Sequence, residues 1–379
     1  MDSLFVSNPF IVGKYLSDRY FCDRTDETAF LKKQIANGRN VVLTSPRRIG
    51  KSGLIHHLFH QPDVQARYHV FFIDIYATTS LSELVYLLGK SIYEQLKPLS
   101  TRWKERFFQT IASLRLGAKL DATNGLPTLD LGLGDITVPL TTLDEIFSYL
   151  NEADKPCIIA IDEFQQIAEY GEKNVEALLR THIQQCATTQ FIFAGSRRHV
   201  MSQIFNSPTK PFYQSAIGMS LNPLPMETYA DFAVRLFGEG GKQVEAEVAR
   251  QVWQHYEGTT WFIQMVMNEL YALTPPGGTC TTDMVPTAIS NVVLQQDGSY
   301  RSLLSGIAPK QKAVLQAIAR EGTVGSITSS AFVKKYGLSS ASSVQSAMRP
   351  LLKSDLVVHE EGVYRLADYF LRQWLAEVY

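Results

Sequence analysis

The chain has 379 residues, 45% of them hydrophobic and 19% charged, with a formal net charge of −1. That length exceeds one ordinary core and points to two or three domains, and the composition excludes a disordered chain. The balanced charge excludes nucleic-acid binding driven by an overall basic field, leaving only a local patch for that role.

Four cysteines, Cys22, Cys157, Cys186 and Cys280, are scattered without C-x-x-C spacing. They read as small apolar fillers in a reducing compartment, not as a zinc site or disulfide framework. Residues 1–20 carry no basic start followed by an apolar run, so no signal peptide is expected. No apolar segment approaches the roughly 18 residues that a membrane helix needs. A cytoplasmic protein with no membrane partner is the expectation.

Residues 1–19 contain Asn8-Pro9-Phe10 and little periodicity, and read as an arm lying against the first domain. Phe30, Leu31 and Ile35 then recur at helical spacing, with Asp23 or Thr25 as cap and Gly38 as stop. Val41-Val42-Leu43-Thr44 reads as a buried strand, followed by Ser45-Pro46-Arg47-Arg48-Ile49-Gly50-Lys51-Ser52 and a helix through Leu54, Ile55 and Leu58. This is the layout of a phosphate-binding loop, in which exposed backbone N–H groups and a helix N-terminus hold phosphates. A lysine reaches the terminal phosphates and a hydroxyl binds magnesium. The candidate nucleotide-binding residues are Pro46, Arg47, Arg48, Ile49, Gly50, Lys51, Ser52 and Gly53. Ser45 stands where the G-x-x-x-x-G-K-[ST] pattern has its first glycine. The replacement is harmless if Ser45 takes a negative φ and strained if φ is positive. Taken alone, the stretch reads equally as a Gly-Lys-Ser turn with no ligand, so its partners decide.

His69-Val70-Phe71-Phe72-Ile73-Asp74-Ile75 is a continuously apolar strand of the kind buried in parallel sheets. Helices are expected over residues 80–96 and 103–116. Residues 118–139 read as an inserted hairpin, because the 128–138 run alternates at period two. After a helix over 142–151, Cys157-Ile158-Ile159-Ala160-Ile161-Asp162-Glu163 has the form of a Walker B element. Such a strand delivers two carboxylates to the edge where α/β sheets bind ligands. Asp162 is the candidate magnesium ligand, with Ser52, and Glu163 the candidate general base. Its place one strand unit after Gly-Lys-Ser argues against coincidence. A helix over 174–187 leads to the strand Gln190-Phe191-Ile192-Phe193-Ala194-Gly195-Ser196. Ser196 reads either as a γ-phosphate sensor that orients water or as the N-cap of a helix over 197–204. Arg197 and Arg198 are candidates for phosphate contact or surface charges, and residues 220–225 read as the last strand and its exit turn.

From residue 226 the pattern turns helical, with Tyr229, Phe232, Leu236 and Phe237 on one face, and residues 225–298 read as a helical lid. Residues 299–379 read as three helices, a two-stranded turn and a final helix, the plan of a winged helix-turn-helix. Its third helix offers Gln345, Arg349 and Lys353, and residues 309–379 carry a net +3. DNA binding and protein docking both remain open for it. The reading is therefore α/β: a P-loop NTPase parallel-sheet core over 20–224, a helical lid and a C-terminal winged helix.

Phe21-Cys22-Asp23-Arg24-Thr25-Asp26-Glu27, the loop Ser45 to Ser52, Ile161-Asp162-Glu163-Phe164-Gln165, Phe193-Ala194-Gly195-Ser196 and the end Tyr364-Arg365-Leu366-Ala367-Asp368-Tyr369-Phe370 together resemble the AAA+-like bacterial and archaeal ATPases related to the signal-transduction ATPases with numerous domains. The resemblance implies a five-strand parallel core, ATP/ADP with Mg²⁺, slow hydrolysis coupled to a conformational switch, and Arg24 near the adenine. Two departures stand out: Ser45 in place of glycine, and Gly258-Thr259-Thr260 where the family's lid has Gly-x-Pro. No arginine finger stands out among Arg180, Arg197 and Arg198. The functional expectation is an ATP-hydrolysing switch, with Lys51, Glu163 and Ser196 as candidate catalytic residues and a protein partner or self-association. The alternative is an ATP-controlled DNA-binding regulator or loader.

Overall fold

The computed structural model describes residues 7–96, 119–120, 127–128, 139–360 and 362–378. The chain divides into two compact units, Lys14–Leu224 and a second made of Met1–Gly13 with Pro225–Tyr379.

In the first unit the strands are, in chain order, β1 (Val41–Thr44), β2 (His69–Asp74), the short β3 (Lys119–Leu120) and β4 (Pro127–Thr128), β5 (Cys157–Asp162), β6 (Thr189–Gly195) and β7 (Ile217–Ser220). Five of them form one sheet in the order β2-β5-β6-β1-β7. Every pairing in it is parallel. All five C-terminal ends therefore share one edge, the edge at which open α/β sheets bind ligands. The central β5 and β6 are buried along their whole length, which accounts for their continuous apolar runs. Helices cover both faces: Leu31, Leu54, Ile55 and Leu58 pack on one, and Leu84, Leu88, Ile146, Phe147 and Leu179 on the other. The first four come from α1 (Thr25–Ala36) and α2 (Lys51–His60); α3 (Pro62–Arg67) and α4 (Leu81–Leu96) follow.

Four local expectations need correction or fall outside the described residues. The last sheet strand is β7, which ends at Ser220 where the predicted strand begins. Its residues are largely exposed because it is an edge strand, so it lacks the apolar run that marks its neighbours. Leu221 N still reaches Thr44 O at 2.8 Å, and Pro223 and Pro225 then end the ladder, since proline has no N–H to donate. Neither Asp23 nor Thr25 occupies the N-cap of α1; Arg24 does, at φ 70°, while Asp23 Oδ1 accepts from Thr25 N at 3.3 Å. The expected helix over 103–116 lies outside the described residues. Within 118–139 only the antiparallel pair β3–β4 is described, and the alternating 128–138 run lies almost wholly outside.

The second unit is helical, with Met226–Glu239, Ala246–His255, Thr260–Leu273 and Val285–Gln295, and a short parallel pair β8 (Gln243–Val244) and β9 (Thr279–Cys280). Asp297–Ser305, a helix for which the sequence reading assigned no element, follows. Pro309–Glu321, Ser330–Lys335, Ala341–Lys353 and the hairpin β10 (Val357–Glu360) and β11 (Val363–Leu366) form the winged helix, with Tyr369–Val378 behind it. Ser340 Oγ accepts from Ser343 N at 3.2 Å, capping the third winged-helix helix as its serine-rich start predicts. The turn at Glu257 is joined to the hairpin: Arg365 Nη1 and Tyr369 OH donate to Glu257 Oε2 at 3.2 and 2.8 Å. Tyr256 and Phe262 pack edge-on against Tyr369 and Phe370.

The N-terminal arm is divided between the units. Phe10, fully buried, lies against Phe232, Phe237 and Tyr271 of the second unit, not against the first domain as expected. Tyr15 and Phe21 instead pack on His57 of α2. An aromatic side chain goes where an apolar recess takes it, and the arm's lack of periodicity carried no information about which recess that was.

Candidate functional site

The loop between β1 and α2 meets its conformational demands at two positions, Arg48 at φ 68° and Gly50 at φ 105°. Ser45 is not among the positive-φ residues, so its Cβ strains nothing. It is fully buried, its hydroxyl donating to Pro46 O at 2.7 Å and its N–H to Gly195 O at 3.4 Å. The hydroxyl thus braces the loop on its own backbone, while the tie to β6 is the backbone N–H that a glycine would also supply. Ile49 is buried in the core below, and a Cβ added at Gly53 would lie 3.5 Å from the Phe21 ring.

Lys51 opens α2 and is 6% exposed. Its ammonium makes no hydrogen bond or ion pair among the described residues. Burial pushes its pKa down from 10.5; Glu163 and Asp162 pull it up, and Arg47 and Arg198 push it further down. A desolvated cation beside two guanidinium groups favours an anionic ligand, which restores the charge balance that burial removed.

Ser52 Oγ donates to Asp162 Oδ2, a hydroxyl and a 4%-exposed carboxylate brought together from α2 and β5. These are hard oxygen donors suited to Mg²⁺. Among the described residues no cluster of three or more His, Cys, Asp or Glu side chains could hold a metal alone. Asp74 pairs in register with Asp162; burial raises its pKa, opposed by the Tyr76 N–H and aided by Asp162 and Glu163.

Glu163 leaves the end of β5 at φ 54°, a left-handed conformation costing a residue with a Cβ about 1–2 kcal/mol. Its N–H donates to Asp162 Oδ1 at 2.9 Å. Its Oε2 accepts from Ser196 Oγ at 2.7 Å and also from Gln165 Nε2. Arg47 Nε reaches Ser196 Oγ at 3.5 Å, and its guanidinium lies 5.8 Å from the Tyr76 ring centroid. Arg47, Ser196, Glu163, Asp162 and Ser52 are therefore joined by direct contacts. The N-cap alternative for Ser196 fails: the following helix, Arg198–Asn206, is capped at Arg197 with no side-chain bond.

Arg24 stands outside that chain of contacts. It is 4% exposed, its Nη1 donates to Glu27 at 2.6 Å, and its Nη2 is buried without a hydrogen-bond partner. Such a donor is expensive to leave unmet and suits a ligand acceptor. Arg197 pairs with Glu169 at 3.3 Å. Asp74 was singled out by no sequence signal; Gln165 belongs to the Asp-Glu-Phe-Gln stretch that carries the resemblance, but no role was assigned to it.

Residues 21–266 match the model of a family described as an ATPase domain predominantly from Archaea. Residues 298–377 match one described as a probable winged helix domain. No curated protein matches the chain. Among solved structures, a Walker-type ATPase of Pyrococcus abyssi is 18% identical, with 97% of this chain and 99% of that one covered and a TM-score of 0.65. The Aeropyrum pernix ORC2 protein, solved as ADPNP–ADP complexes, is 13% identical over 98% and 96%, TM-score 0.57. The Aeropyrum pernix ORC1 protein in complex with DNA is 11% identical over 94% and 93%, TM-score 0.51. At these identities the likeness is one of fold.

Proposed function

Because the chain belongs to the family of ATPase domains found predominantly in Archaea and carries a C-terminal winged helix domain, we propose that it is a slow ATP-hydrolysing molecular switch, related to the signal-transduction ATPases with numerous domains. The observation that carries the reading is the buried Lys51 ammonium, without a hydrogen bond or ion pair among the described residues, at the open end of a parallel sheet beside Asp162 and Glu163. In this reading Lys51 and the backbone N–H groups of Arg47 to Gly53, the segment after Pro46, hold the β- and γ-phosphates, and Arg24 lies on the adenine side. Ser52 and Asp162 would hold Mg²⁺, which would supply charge neutralisation at the phosphates. Glu163 accepts the proton of the attacking water, and Ser196 and Arg47 fix its carboxylate.

Nucleotide state then alters the placement of the second unit relative to the first, which is the switch. The free, buried cysteines support a reducing, cytoplasmic setting, and no helix among the described residues is long and apolar enough to cross a membrane. The test uses the purified protein, with nucleotide binding followed by fluorescence titration and turnover by phosphate release. Lys51→Ala should bind no nucleotide, and Glu163→Gln should bind ATP without turnover. Undiminished hydrolysis in either variant overturns the assignment. A radius of gyration identical with ADP and with a non-hydrolysable ATP analogue overturns the switch.

A second reading, an ATP-controlled DNA-binding regulator or loader, is favoured by the third winged-helix helix. Ser342, Gln345, Ser346, Arg349 and Lys353 lie exposed along Ala341–Lys353, where a recognition helix reads the major groove. Duplex binding that is lost in an Arg349→Ala, Lys353→Ala variant supports it, and no binding at low salt removes it.

A further inference from the structure

The Glu163 carboxylate is held asymmetrically. Both side-chain donors that reach it, Ser196 Oγ and Gln165 Nε2, converge on Oε2. No donor among the described residues reaches Oε1. Gln165 is 3% exposed and lies in the turn Phe164–Glu169, which follows β5 directly. Its own Oε1 is buried with no hydrogen-bond partner among the described residues. That is an uncommon arrangement for a side chain whose only role is structural, since an unmet buried acceptor costs stability. The neighbouring strand makes room for it: a Cβ on Gly195 would overlap Gln165 Oε1 and the Met201 side chain. Gly195 has no positive φ, so close approach, not backbone conformation, is what the glycine allows here.

We infer that Gln165 is a positioning residue for the proposed hydrolysis. Its amide holds Glu163 Oε2 so that Oε1 alone faces the attacking water. The inference rests on the reading of Glu163 as general base. Three features agree on it: the left-handed backbone of Glu163, which sets the direction of the side chain; the two donors on one oxygen; and the glycine that admits the glutamine. A general base with both oxygens free to rotate samples many poses, and a misplacement of about 1 Å costs on the order of 100-fold. Ser196 alone leaves rotation about its single hydrogen bond, whereas a second donor on the same oxygen, from the turn that follows β5, restrains it.

The test is a double-mutant cycle on the full chain with Gln165→Met, which keeps the side-chain volume and removes the donor, and Glu163→Gln. Gln165→Met should lower kcat roughly tenfold to a hundredfold with KM unchanged. Its affinity for ADP, titrated without magnesium, and its Tm should stay within error of the parent. In the Glu163→Gln background, read as the residual single-turnover rate at high enzyme concentration, the same substitution should have no further effect, because the residue acts only through that carboxylate. If Gln165→Met does not fold, Gln165→Asn, which draws the amide back by one methylene, takes its place in the cycle. An unchanged or raised kcat overturns the inference, as does an equal loss in both backgrounds. Undiminished turnover in Glu163→Gln brings down the assignment of the base itself. Loss in Glu163→Gln without loss in Gln165→Met brings down the inference alone.

Discussion

Ser196 Oγ donates a 2.7 Å hydrogen bond to Glu163 Oε2, joining residues 33 positions apart that leave the ends of adjacent parallel strands. Hydrogen bonds to a charged partner contribute about 1.5–3 kcal/mol. Ser196→Ala should therefore lower kcat by roughly tenfold to a hundredfold while ADP affinity holds. Phosphate release and a fluorescence titration measure the two quantities, and a parallel loss of both would mean that Ser196 serves the fold or the nucleotide instead.

Burial lowers the pKa of Lys51 and makes its cation costly in the nucleotide-free protein, and in the proposed reading the phosphates of a bound nucleotide offset that cost. Lys51→Met should raise the Tm of the nucleotide-free protein and abolish the Tm increase that ADP produces in the parent. Differential scanning fluorimetry with and without ADP separates the two effects. An ADP-induced shift that survives in Lys51→Met excludes the lysine from the site.

Acid should destabilise the first unit through His57, stacked on Phe21 at 4.4 Å and next to Asp18. Burial lowers its pKa from 6.5, Asp18 opposes that, and Lys32 and His60 add to it. The unfolded chain takes up this proton near pH 6.5 and the folded chain only at lower pH. Between those two values the unfolded state binds more protons, so stability rises with pH and is lost as pH falls through the window. Urea midpoints from pH 7 down to pH 5 should decline less steeply in His57→Gln than in the parent. Parallel slopes would assign the acid sensitivity elsewhere.

Phe10 is fully buried against three aromatic rings of the second unit. Phe10→Ala should destabilise that unit by about 3–5 kcal/mol, the usual range for such a truncation. Trp253, Trp261 and Trp374 lie in that unit and Trp103 in the other, so tryptophan fluorescence in a Trp103→Phe background reports its urea transition. A transition unmoved by the substitution means the arm is a passenger.

Much of the nucleotide domain was legible because buried parallel strands have to be apolar along their length. The runs 41–44, 69–74, 157–162 and 189–195 announced themselves for that reason. The edge strand Ile217–Ser220 did not, because one neighbour and an exposed surface impose no pattern on it. Ser45 shows the same limit in a loop. Its identity broke a pattern, and only the backbone showed that the positive angles fall at Arg48 and Gly50 instead.

The candidate site divides along the same line. Lys51, Ser52, Asp162 and Glu163 follow from spacing, because a strand, a turn and a helix are local structures whose residues are neighbours in the chain. That Ser196 bonds Glu163 instead of capping its own helix, that Gln165 shares the same oxygen, and that Phe10 leaves the first unit for the second are decided by the tertiary structure alone. Local propensity and periodicity act over a few residues. These contacts depend on strand order and on which surfaces meet, and no window of sequence contains that.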